Sequence, residues 1–167
     1  LARYLISLQF SPLEVGAIVT GTLLGSAALT LAFGLRAHRV RLPILLVAAS
    51  VVMVGTGAGF AVVTSFWPLL VVAVVGTLNP SAGDVSVFLP TEQALLATEV
   101  DAASRPRTFA VYNLAGTIAG AFGALASGLP NTIARAGGWS TVSVDRWCFG
   151  GYAVVGLIVG LMYRRLA

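Results

Sequence analysis

From Val15 to Leu35 the chain runs without a single charged residue, and this uninterrupted apolar length narrows the possible folds more than any other feature. A bilayer core about 30 Å thick is crossed by roughly 20 helical residues rising about 1.5 Å each. Applied along the sequence, that ruler predicts membrane spans over about 12–35, 43–63, 67–90, 108–129 and 147–163. Residues 1–10, with the apolar run Tyr4-Leu5-Ile6-Ser7-Leu8, read as the tail of a further span. The chain opens on Leu1 and reads as an internal fragment. The predicted fold class is therefore all-α: a polytopic transmembrane helix bundle with five complete spans and the tail of a sixth.

Composition supports lipid as the solvent. Hydrophobic residues make up 57% and charged residues 10%, the mean hydropathy is +0.93, and a typical soluble domain is about a quarter charged. Polar surface on this scale cannot cover the apolar runs, so the lipid bilayer is the first partner. Arginine supplies the positive side of the formal net charge of +4, because the chain contains no lysine. These arginines are dispersed between apolar segments rather than clustered on one face, which argues against a nucleic-acid partner.

The local signals place the span ends. Ser11-Pro12-Leu13-Glu14 reads as a capping box with proline at the first helical position, and Gly34 with Arg36 marks the other end of that span. Pro43 opens the second span, and Trp67-Pro68 starts the third after a brief turn. The third span reaches sufficient length only by continuing through Asn79-Pro80-Ser81-Ala82-Gly83-Asp84, so it is expected to be interrupted between Leu78 and Asp84. Residues 91–107 read as a helix extension plus loop, and 130–146 as a polar, glycine-containing connection.

Loop charge gives an orientation. Arg36, Arg39 and Arg41 share a side with Arg105 and Arg107 and with Arg164 and Arg165, whereas Arg3, Arg135 and Arg146 lie opposite. The positive-inside rule makes the loops at about 36–42 and 91–107 cytoplasmic, with the chain start outside and the chain end inside. Trp67, Trp139 and Trp147 fall near the outer interface, where an aromatic belt is expected. Glycines recur four apart at Gly21 and Gly25, Gly116 and Gly120, and Gly156 and Gly160, a spacing that lets helices approach closely in lipid.

Together these features resemble the amino-terminal half of a major facilitator superfamily transporter, from the end of helix one through helix six. The run 79–84, then Phe88-Leu89-Pro90-Thr91-Glu92-Gln93 and Phe109-Ala110-Val111-Tyr112-Asn113-Leu114, is similar to a bacterial subgroup of that superfamily. Between helices two and three the superfamily carries a signature of glycine, Asp-Arg, a second glycine and further basic residues. Here Gly34 and Arg39 match it, His38 stands where aspartate is expected, and the second glycine is missing. The resemblance implies a permease of the bacterial plasma membrane, a missing carboxy-terminal half as partner, and a small-molecule substrate moved by alternating access. It leaves import and efflux open, because the fifth helix lacks the family's Gly-Pro step.

Within that frame Asp84 is the sharpest candidate, since a carboxylate inside a span costs roughly 2.5–3.5 kcal/mol on insertion scales and is expected to face protein or water. Proton coupling is assigned to it, facing the missing half; its structural alternative is to cap the half-helix after Pro80 and Gly83. Asn79, Glu92 and Asn113 complete the candidate substrate or proton pathway, with bland readings as carbonyl partner, interfacial carboxylate and interhelical hydrogen-bonder. Gly34, Arg39 and Arg41 form the candidate gating loop, or simply set topology. The sequence points to no cofactor and no metal site: Cys148 is the only cysteine, and His38 has no second ligand nearby. Without a Ser-His-Asp set or a phosphate-cradling loop, an enzyme is disfavoured. The rival from another class is a non-transporting membrane scaffold or assembly subunit whose glycine faces bind partner helices.

Overall fold

A computed structural model describes residues 1–36, 40–76 and 88–165, the side chain of Asn131 apart. The described residues form helices α1 (Ala2–Ser7), α2 (Pro12–Arg36), α3 (Leu42–Val62), α4 (Phe66–Val75), α5 (Phe88–Glu99), α6 (Arg105–Ala126), α7 (Leu129–Gly137) and α8 (Thr141–Arg164). Four of them, α2, α3, α6 and α8, are long and apolar enough to cross a bilayer. The predicted helical membrane bundle is therefore the observed architecture. The third expected span is described as α4 and the beginning of α5. Its predicted interruption, with Asn79, Pro80, Gly83 and Asp84, lies outside the described residues. On the near side, α4 closes at Val75, and Gly76 is already extended at ψ 168°.

The caps explain the boundaries. At the start of α2 the Ser11 backbone N–H and hydroxyl both donate to Glu14 Oε2 at 2.8 Å, and Glu14 N–H returns a bond to Ser11 Oγ at 3.4 Å. This is the reciprocal capping box expected from the sequence, with Pro12 first in the helix. Elsewhere the helices claim more of the chain than the apolar ruler assigned. α5 continues through 91–107 as far as Glu99, α6 begins at Arg105 rather than near 108, and the connection at 130–146 contains α7. The last span starts at Thr141 rather than Trp147, because Ser140 Oγ accepts from Ser143 N–H at 3.1 Å and caps it. Gly138, at φ +65°, ends α7 just before.

Packing is built on two helix pairs. α3 and α8 make the most extensive contact and α2 with α4 the next, while α3 also touches α4 and α5. Between α3 and α8, a Cβ added at Gly57 would lie 2.7 Å from Ala153 N, and one at Gly156 would lie 3.0 Å from Met53 Cγ. Gly21 and Gly25 seat α4 through Leu70 and Val74. With no water to expel, close backbone approach of this kind is the main source of helix association in lipid. The polar side chains caught in these seams are satisfied by their own helices: Ser50 Oγ donates to Leu46 O at 2.9 Å and Thr56 Oγ1 to Val52 O at 2.7 Å. The third predicted pair, Gly116 and Gly120, behaves differently. Among the described residues neither has an atom within 4 Å of an added Cβ, and α6 has no buried residue.

A small core closes one end of the bundle. Leu5, Ile18, Phe60 and Leu69 are fully buried there, Tyr4 donates its hydroxyl to Phe60 O at 2.9 Å, and Phe149 stacks near both Tyr4 and Phe60 at 5.0 and 5.3 Å. Arg3 bridges to Asp145 at 3.1 Å at the same end. Trp67, Trp139 and Trp147 are all strongly exposed and begin helices or lie beside that end, as an interfacial belt requires.

Candidate functional site

At the opposite end three helices converge on one carboxylate. α5 carries Glu92, half-buried, one turn after Phe88 opens the helix. α6 brings Tyr112, and α8 brings Tyr163 from its last turn, just before Arg164. Tyr112 donates its phenol hydroxyl to Glu92 Oε2 and Tyr163 donates to Glu92 Oε1, so each oxygen of the carboxylate has its own donor. Such paired, charge-assisted bonds are about twice as strong as neutral ones and suit an ionised carboxylate, which is acceptor-only. Arg36 ends α2 and Arg41 precedes α3 at this same end.

The remaining candidates are distributed around this cluster rather than in it. Asn113 follows Tyr112 on α6 but is exposed, and its carbonyl accepts from Thr117 Oγ1 at 2.8 Å. Gly34 is exposed near the end of α2, and Arg41 is exposed at the start of α3. Arg39 and His38, like Asn79 and Asp84, lie outside the described residues. Glu92 alone of the four pathway candidates is thus described in a polar cluster.

The two tyrosines are the part that sequence reasoning missed. They stand 20 and 71 residues from Glu92, so no local spacing joins them. The predicted topology was the usable signal, since it set the ends of the third and last spans and the start of the fourth on one side. Two hollows among the described residues lie elsewhere. One of about 770 Å³ is lined by Trp139, Ser140, Ser143, Trp147 and Cys148 in the corner of α7 and α8, and one of about 300 Å³ by Arg3, Tyr4, Asp145 and Phe149. No candidate residue lines either. Among the described residues no cluster of three or more histidines, cysteines or carboxylates could hold a metal ion.

A family model described as Major Facilitator Superfamily matches residues 3–167. The chain belongs to that superfamily. Membership agrees with the helical bundle and makes this a transporter-like integral membrane protein. A comparison with curated proteins finds an uncharacterized membrane protein of Saccharomyces cerevisiae, 34% identical over 84 residues, which is 50% of this chain and 19% of the yeast protein. The chain therefore corresponds to a small part of that relative's length, and the relative is a yeast protein rather than a bacterial one. No solved structure matches significantly.

Proposed function

We propose that the chain is part of a secondary active transporter that moves a small solute by alternating access and couples the movement to protons. The observation that carries this reading is the superfamily match along the chain from residue 3 to its end, joined to a carboxylate held between three helices. Binding and protonation are the chemistry required; no bond of the solute is made or broken. Glu92 is the pathway member held in the polar cluster, with Asp84, Asn79 and Asn113 as its further members and Gly34, Arg39 and Arg41 as the gating loop. Ionisable groups in membrane helices mark ion and substrate routes because burying them without a use is costly. A carboxy-terminal half against which this half rocks completes the mechanism.

In this reading the arginine-bearing end is cytoplasmic. The test of function is uptake or extrusion by proteoliposomes containing the full-length protein, screened over small solutes under an imposed pH gradient. Accumulation of a solute that collapses when the gradient is dissipated is the expected result. Failure of every solute to move, with protein correctly inserted, favours the scaffold reading instead. Insertion is checked by labelling Val40→Cys and Gly138→Cys in a Cys148→Ser background: the two must react from opposite faces.

A further inference from the structure

Glu92 is held by two phenols, but the helices bearing them are anchored very differently. α8 lies along α3 over most of its length, with Gly156 and Gly160 against Met53 and Ser50. α6 has no buried residue, and among its helix neighbours α5 is the main contact. Tyr163 therefore belongs to a fixed support, whereas Tyr112 fastens a helix that packs little against the other described residues.

We propose that Glu92 is a proton-binding site whose ionised form fastens α6 to α5 and α8 through Tyr112 and Tyr163, and whose protonation releases α6. An ionised carboxylate accepts at both oxygens, which is what two donating hydroxyls require. A proton from the adjoining water turns one of those oxygens into a donor. At that oxygen the phenol must then turn round and accept, leaving its own O–H without its partner, and both bonds lose their charge assistance. The helix with compensating packing stays, and the one without it moves.

Few other ionisable groups face Glu92 from the elements packed around it. α3, packed against α5, has no carboxylate, histidine or basic residue along its length. On α5 itself the other acid is Glu99, two turns on and exposed. Among the described residues the cations of this end are Arg36, Arg41, Arg105, Arg107, Arg164 and Arg165. Arginine stays charged throughout the accessible pH range, so these modulate the site without switching it.

The inference rests on the reading of Glu92 as part of a proton pathway, and its test is made without solute, so that absence of transport and absence of release are separate results. Spin labels are placed at Val111→Cys on α6 and Met162→Cys on α8, two exposed positions beside the tyrosines, in full-length protein freed of other cysteines, Cys148→Ser among them. Distances are measured in lipid bilayers at about pH 8 and about pH 3, on either side of the usual range for protein glutamates. A single short separation at the higher pH, lengthened and broadened at the lower, is expected. Glu92→Gln and Tyr112→Phe should each give the longer distribution at both pH values, and Tyr163→Phe should stay close to wild type. An unchanged wild-type distribution between the two pH values overturns the proposal, as does retention of the short distance in Glu92→Gln. Should Glu92→Gln fail to fold, Tyr112→Phe decides alone: the short distance retained there at the higher pH removes the fastening role.

Discussion

Glycines four apart occur in both α2 and α6, yet the two helices use them in opposite ways. At Gly25 an added Cβ would stand 1.8 Å from Val74 O, whereas at Gly116, Gly120 and Gly123 of α6 it would meet none of the described residues within 4 Å. The same contrast shows in burial: 44% of the most apolar stretch of α3 and 28% of that of α2 are buried, against 0% for α6. Small-residue spacing therefore permits close approach without producing it. What decides is whether a neighbouring helix has a face of matching shape, as Leu70 and Val74 give to α2 and Ala153 gives to α3.

The largest expected effect comes from placing one bulky change on both helices. Gly25→Val must push α4 off α2 and should abolish most monodisperse protein on size exclusion, while Gly120→Val leaves the yield near wild type; equal yields would break the comparison. A finer version uses alanine. Gly57→Ala, where a Cβ would meet Ala153 N and Phe149 O, should destabilise by about 1–3 kcal/mol through overpacking. Gly116→Ala, in an open helix interior, should instead stabilise by up to about 1 kcal/mol, and unfolding midpoints in mixed detergent would give both signs. Next comes the packed end: Tyr4→Phe removes the hydroxyl bond to Phe60 O and should cost about 1 kcal/mol in the same assay. The smallest effect is expected at Arg3→Ala, since the pair with Asp145 is half-exposed on the arginine side and such bridges contribute about 0–1 kcal/mol.

The four long apolar helices α2, α3, α6 and α8 were legible because apolar length against bilayer thickness is a coarse and robust measure. The capping box at Ser11 and Glu14 was legible as well, its partners being only three residues apart. The boundaries near Thr141 and Arg105 were not, since polar residues such as Asp145 and Arg146 enter the first turns of a helix without ending it. Ser140 followed by Ser143 was the missed signal there. Which glycines would be covered could not be read from spacing, because coverage depends on the helix opposite. The Tyr112–Glu92–Tyr163 cluster escaped for the same reason: it joins positions far apart in sequence, on three helices whose mutual placement comes only from packing.

The proposed coupling of solute movement to protons is tested most directly at Asp84. Transport by full-length protein is measured in proteoliposomes with and without a pH gradient, comparing wild type with Asp84→Asn. Asparagine can still cap a helix, so folding should be preserved, while a coupling carboxylate is lost. The expected result is gradient-driven accumulation in wild type and its loss in Asp84→Asn, with equilibrative movement remaining. An equal response to the gradient in both proteins would contradict the account and leave Asp84 a structural cap.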